Sequence, residues 1–134
     1  MSGLVIKLRP AERLMINGVV IENGDRRCRF NILTPDANVL RLKDAIHPDE
    51  ANTPVRRVCY IAQLVLAGEA DRDEARSQLL RGVEQLSQVF TDPDSRLHLS
   101  TATEHLVADR YYPALKALRA LLPREDRLLA AAGP

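Results

Sequence analysis

The chain of 134 residues has no tryptophan, few aromatic residues and only two cysteines. Phe30 is the sole aromatic residue before residue 47, so base stacking there would depend on arginine rather than on aromatic rings. Cys28 and Cys59 form no CxxC pair, and each lies in an apolar pattern that predicts a small buried side chain. No apolar run approaches the roughly 18 residues of a membrane span, and Lys7 and Arg9 interrupt the early one. These features predict a cytoplasmic protein without a signal peptide.

Motifs of catalysis and of cofactor binding are also absent. The sequence contains no P-loop, no GxGxxG and no GxSxG. His47, His98 and His105 do not stand at a metal-ligand spacing with cysteines or carboxylates. No acid–base pair can be assembled around a nucleophile. We therefore expect a protein that is not an enzyme and that uses no cofactor or metal.

Charge is balanced overall but uneven along the chain. The formal net charge is +1. Residues 1–47 contain eight Lys/Arg against five Asp/Glu, a net of +3, whereas the rest contain eleven against thirteen, a net of −2. A basic first part on a nearly neutral protein indicates an anionic partner.

Short β-strands are predicted throughout the first part. Two Asn-Gly pairs, at 17–18 and 23–24, flank the segment VVIE, and Asn-Gly favours the type I′ turn of a tight hairpin. Gly18 and Gly24 are both expected to have positive φ. The segment TPDAN, residues 34–38, is typical of a further turn. The predicted strands of one antiparallel sheet are Leu4–Arg9, Arg13–Ile16, Val19–Glu22, 26–33 and 39–46.

Alternation along these strands separates apolar from basic side chains. Cys28, Phe30 and Ile32 share one face of their strand, and Arg27 and Arg29 share the other. By the same alternation, Arg41 and Lys43 are expected to share a face of the last strand. Two interpretations stay open: a solvated sheet face whose charges discourage edge pairing, or a surface for an anionic ligand.

The second part has the periodicity of helices. Thr53 and Pro54 predict a helix start, and Gly68 predicts its end. Further helices are expected from Asp71, from Ser95 to about Ala108 and after a capping Asp109, with Pro123 ending the last and a short continuation after it. The fold class is therefore α+β, with a β-rich part at 1–47 packed against a helical part of four or five helices at 48–134.

Several segments together resemble the FlbT family of flagellar regulators across nearly the whole chain. These are LVIKLRPAERLMINGVVIENGDRRCRF, LRLKDAI, ANTPVRRVCYIAQLVL and DRYYPALKALRALL, whereas residues 70–108 are weakly matched. The resemblance implies a post-transcriptional repressor that binds the 5′ untranslated region of flagellin messenger RNA and promotes its decay. It also implies a second protein, FlaF, acting in the same step.

The first part alone is similar to CsrA-type translational regulators. LVIKLRPAERLMI resembles their opening strand and VLRLKDAI their closing strand. That resemblance implies a homodimer in which these two strands form the RNA-binding surface. Lys43 falls on an RNA-reading arginine and Arg9 on the second of two arginines. Leu8 replaces the first arginine, and the loop around 36–38 is one residue longer.

Both resemblances and the strand pattern point to the same basic side chains. The leading hypothesis is a cytoplasmic RNA-binding repressor, with a homodimer left open. The alternative is an adaptor or chaperone for flagellin, FlaF or a flagellar export component. The predicted RNA-binding residues are Lys7, Arg9, Arg27, Arg29, Arg41 and Lys43.

Overall fold

A computed structural model describes residues 3–35 and 37–132 and confirms the α+β class. The strands are β1 (Leu4–Leu8), β2 (Arg13–Ile16), β3 (Val19–Glu22), β4 (Cys28–Ile32) and β5 (Val39–Arg41). Two 3₁₀ turns follow, Leu42–Asp44 and Pro48–Glu50. The helices are α1 (Pro54–Leu66), α2 (Arg72–Val89), α3 (Pro93–Val107), α4 (Tyr111–Arg119) and α5 (Leu122–Ala132).

The five strands form two small antiparallel sheets instead of the single sheet predicted. One sheet pairs β1 with β4, and the other has the order β3-β2-β5. Their inward side chains share an apolar cluster in which Ile6, Leu8, Leu14 and Val39 are buried. The opening strand β1 and the closing strand β5 do not pair with each other within the chain, because β5 pairs with β2.

The first Asn-Gly pair forms the predicted turn, and the second does not. Asn17 (φ 49°) and Gly18 (φ 84°) close the β2–β3 hairpin. Positive φ at Gly24 was a wrong prediction, because the chain leaves the hairpin at Asn23 and crosses to β4. The other predicted turn retains Thr34 and Pro35, whereas Asp36 lies outside the described residues.

The end of β5 also differs from the prediction. The strand stops at Arg41, and Leu42–Asp44 turn as a 3₁₀ helix. Arg41 and Lys43 thus do not share a face of one strand. Val39 and Leu40 are both buried, because Leu40 belongs to the helical core and Val39 to the cluster between the sheets.

The helices follow their local signals closely. Thr53 caps α1 and Gly68 (φ 76°) ends it, as predicted. Asp71 caps α2 as predicted. Asp92 caps α3, which begins at Pro93, two residues before the predicted start at Ser95. Arg110, without a capping side chain, precedes α4 in place of Asp109. Pro123 lies in the first turn of α5, where a missing N–H costs nothing, so it begins a helix rather than ending one.

Tyr112 and Glu125 each connect elements that are distant in the chain. Tyr112 of α4 packs against both the helical core and the cluster between the sheets. Glu125 of α5 is buried and accepts hydrogen bonds from the hydroxyl of Thr53 and, at 2.8 Å, from the backbone N–H of Val55. A carboxylate at this position satisfies the N–H of Val55, which has no partner within α1, and complements the helix dipole.

Candidate nucleic-acid interface

The outer surface of the β1–β4 sheet is basic. Lys7 of β1 lies directly opposite Arg29 of β4, and both side chains are exposed. Arg9 and Arg27 adjoin the last pair of this sheet, Leu8 and Cys28, and are exposed as well. We call Lys7, Arg9, Arg27 and Arg29 the basic face. Facing residues in an antiparallel pair are about 5 Å apart, so these cations form one compact patch.

No acidic side chain neutralises the basic face among residues 3–35 and 37–132. The ion pairs of the described chain involve other cations. Like charges placed opposite each other on a sheet are destabilising unless a counter-ion is present. An exposed, unneutralised pair such as Lys7 and Arg29 therefore favours an anion bound across the two strands.

Asn23 fixes the loop that carries Arg26 and Arg27. Its side-chain amide donates to the carbonyl of Arg9 at 2.8 Å and to that of Arg26 at 2.7 Å. Its backbone N–H donates to the carbonyl of Glu12 at 2.9 Å. Asn23 therefore holds the ends of β1 and β4 together, and the loop arginines have a defined position.

A buried carboxylate organises the remaining predicted residues. Glu12 is only 8% exposed and accepts hydrogen bonds from the backbone N–H of Arg9 and from Nη1 of Arg41, both at 2.9 Å. Nζ of Lys43 lies 3.7 Å from the same carboxylate. Arg41 also donates from Nη2 to the carbonyl of Lys7 at 2.8 Å. The guanidinium of Arg41 thus joins the end of β5 to β1.

The ionised form of Glu12 is the stable one. Burial by itself raises the pKa of this carboxyl. The hydrogen bond from Arg9 and the positive charges of Arg41 and Lys43 outweigh burial and bring the pKa of Glu12 below its usual value. The carboxylate is therefore charged at neutral pH and holds its two cations.

The predicted set therefore divides in two. Lys7, Arg9, Arg27 and Arg29 form the basic face. Arg41 and Lys43 lie in the ion-pair cluster of Glu12, where the side chain of Arg41 is 20% exposed and that of Lys43 is 45% exposed. The anchoring roles of Glu12 and Asn23 were missed. One sequence feature could have indicated the role of Glu12: it is the sole acidic residue among the first 21, and Lys7, Arg9 and Arg13 are close to it in the sequence.

A groove lies on the other side of the same sheet, between its end and α4. Its volume is about 700 Å³. Apolar side chains dominate its wall, including those of Leu4, Ile32, Leu33, Tyr112 and Pro113. The charged residues that also line it are Arg72, Asp109, Arg110 and Lys116. Leu33 is 75% exposed.

Residues 3–35 and 37–132 contain neither a metal-binding cluster nor a membrane-spanning helix. That part of the chain holds no group of three His, Cys, Asp or Glu side chains placed to bind a metal ion. None of its helices is long and apolar enough to cross a membrane.

The fold and the basic face define a small α+β protein. Its β-rich part has a candidate surface for binding an anion, and its second part is helical. The family model described as "Flagellar protein FlbT" matches residues 4–129. The chain belongs to the FlbT family.

Curated relatives match the chain over almost its full length. The chain is 35% identical to a Mesorhizobium japonicum protein, covering 96% of this chain and 86% of the relative. It is 32% identical to proteins of Caulobacter sp. strain K31 and Rhodopseudomonas palustris, covering 94% and 95% of this chain and 95% and 98% of those relatives. All three relatives are named "Probable flagellum biosynthesis repressor protein FlbT". No solved structure matches the chain.

Proposed function

We propose that this protein is a cytoplasmic, non-enzymatic repressor of flagellin synthesis. It binds the 5′ untranslated region of flagellin messenger RNA and promotes decay of that RNA. The names of the relatives support repression of flagellum biosynthesis, and the basic face supports a nucleic acid as the ligand.

The observation that carries the proposal is the pairing of Lys7 with Arg29 on an exposed sheet surface, extended by Arg9 and Arg27. Alternate residues of a strand advance about 7 Å, close to the spacing of successive phosphates in an extended strand. Arginine offers a planar fork to phosphate and a flat surface to an unpaired base. The scarcity of aromatic residues agrees with binding through cations rather than through stacking platforms.

The test is binding of purified protein to a flagellin leader RNA over a series of salt concentrations. Affinity should fall steeply with salt, because each phosphate contact releases counter-ions. The variant Lys7→Ala/Arg29→Ala removes two contacts and should lower the salt slope by about 1.4, at about 0.7 per charge for single strands.

Arg81→Ala/Arg96→Ala is the matched control. It removes the same charge from exposed positions on α2 and α3, and it should leave the slope unchanged. Equal slopes for the basic-face variant and the wild type, with both proteins folded, would refute binding through the basic face. Loss of slope in the control alone would move the site to the helices.

A second candidate function is an adaptor or chaperone for flagellin, FlaF or a flagellar export component. The groove beside α4 favours it, because an apolar surface of this size suits an inserted peptide segment. Leu33→Asp should abolish capture of such a segment and leave RNA binding intact. RNA binding by the wild type with no retention of flagellin or FlaF would exclude the adaptor function for this groove.

A further inference from the structure

The outer edge of β4 is open. Its inner edge pairs with β1, and beyond that pairing no backbone group of β4 hydrogen-bonds to any described residue. The outer edge of β1 differs, since the guanidinium of Arg41 donates to the carbonyl of Lys7 there. The free N–H and C=O groups of such an edge can pair with another strand, and Arg29 is the one charged residue within β4.

The inward apolar side chains of β4 are less buried than those of the neighbouring strand β1. Ile6 and Leu8 of β1 are 1% and 3% exposed, whereas Phe30 and Cys28, which lie opposite them and contact the same cluster, are only half-buried. Ile32 is half-buried as well. A strand added at this edge would cover all three. The other unpaired edge of comparable length, on β3, offers only one half-buried apolar residue, Ile21.

We propose that β4 pairs antiparallel with β4 of a second copy of this chain, giving a continuous sheet in the order β1-β4-β4-β1. A two-fold axis passes between the two strands, and alternation allows it to coincide with Arg29, Phe30 or Asn31. Centring on Arg29 would place two arginines face to face, and centring on Asn31 would align only three strand residues.

Centring on Phe30 aligns all five strand residues without opposing like charges. Arg29 then lies opposite Asn31 of the partner subunit, and Cys28 lies opposite Ile32 of the partner subunit. Phe30 meets its own copy over the apolar cluster. The pairing thus matches polar with polar and apolar with apolar along its whole length.

The dimer would double the basic face. Across the four strands, the facing residues on the outer surface are Lys7 and Arg29 of one subunit, followed by Asn31 and Val5 of the partner subunit. The two arginines at position 29 are diagonal neighbours, about 7–8 Å apart. This consequence for RNA rests on the function proposed above, whereas the interface itself does not.

Charge at position 31 provides the first test, with molar mass followed by sedimentation equilibrium. Asn31→Asp places a carboxylate opposite Arg29 of the partner subunit twice per dimer and should tighten the dimer about 2- to 30-fold. Asn31→Lys should weaken it by a similar factor. Within one chain Asn31 lies opposite Val5, diagonal to Lys7 and two residues from Arg29, so the melting temperature of each variant at concentrations too low for dimers is the control for charge effects inside the monomer. If Asn31→Lys fails to fold, the tightening by Asn31→Asp decides alone.

A disulfide provides the second test. Ile32→Cys should cross-link to native Cys28 of the partner subunit under mild oxidation, since facing residues are within disulfide reach. Within one strand these positions are about 13 Å apart, too far for an internal bond. Adding Cys28→Ser should abolish the cross-link.

A monomeric wild type together with a monomeric Asn31→Asp variant would overturn the proposal. So would a dimer insensitive to charge at position 31, or a cross-link that survives Cys28→Ser. A dimer that responds to charge at position 31 as expected, with no RNA retention, would confirm the interface and refute the proposed ligand, so the two proposals fail separately.

Discussion

Glu12 and Arg41 lie 29 residues apart in the chain, yet Oε2 of Glu12 accepts a hydrogen bond from Nη1 of Arg41 at 2.9 Å. The carboxylate is almost fully buried, and the guanidinium also reaches the carbonyl of Lys7. This ion pair connects the turn after β1 with the end of β5. It links the two sheets where no backbone pairing does.

Arg41 and Lys43 should therefore differ in their effect on stability. Arg41→Ala leaves a buried carboxylate without its closest charged partner and should lower the free energy of unfolding by about 1–3 kcal/mol. Lys43→Ala removes a more exposed and more distant charge and should change it by less than about 0.5 kcal/mol. Urea unfolding at neutral pH measures both. Equal effects of the two substitutions would contradict the structural role of Arg41.

The Glu12 cluster should give stability a dependence on acid pH. The pKa of Glu12 is lower in the folded state than its usual value of 4.5, so its contribution is fully present above that value. The contribution is lost as pH falls through the lower, folded pKa. Glu12→Gln should therefore be less stable than the wild type at neutral pH, and the difference should shrink below about pH 4.5. A difference that stays constant down to strongly acid pH would be inconsistent with an ionised Glu12.

The two Asn-Gly pairs should respond differently to a β-branched residue. Gly18 has φ 84°, so Gly18→Val should cost about 1–2 kcal/mol of stability. Gly24 does not have positive φ, and a Cβ there would meet nothing within 4 Å. Gly24→Val should change stability by less than about 0.5 kcal/mol. Thermal melting of the two variants compares them directly, and a larger loss for Gly24→Val would refute the assigned turns.

Asn23 should act as the anchor of the arginine loop. Asn23→Ala removes the two short side-chain hydrogen bonds, to the carbonyls of Arg9 and Arg26, and a longer one to the carbonyl of Leu8, and should destabilise the protein by about 1–2 kcal/mol. Amide hydrogen exchange at Arg26 and Arg27 should become faster. Asn52→Ala is the control, because Asn52 is exposed and its side chain makes no hydrogen bond to any residue of the described chain. Unchanged exchange in the Asn23 variant would show that another contact holds the loop.

Local signals in the sequence determined much of this fold. The Asn17-Gly18 turn, the Thr53-Pro54 start and the Gly68 end of α1, and the alternation of Cys28, Arg29 and Phe30 all appear where the sequence predicted them. Each depends on φ preferences, capping groups or side-chain periodicity within a few residues. These local preferences can be inferred from the sequence without knowing which distant residues are in contact.

Only the tertiary structure decided which strands pair and which basic side chains remain exposed. Asn23-Gly24 has the composition of a turn, but the side-chain amide of Asn23 donates to the carbonyls of Arg9 and Arg26, which are 14 and 3 residues away. The apolar–polar alternation around Arg41 predicts an exposed side chain, but its guanidinium donates hydrogen bonds to Glu12 and to the carbonyl of Lys7. A buried carboxylate binds whichever cation the packed sheets bring within reach, because desolvation makes an unpaired charge costly. That choice depends on distances in space, which spacing along the sequence does not contain.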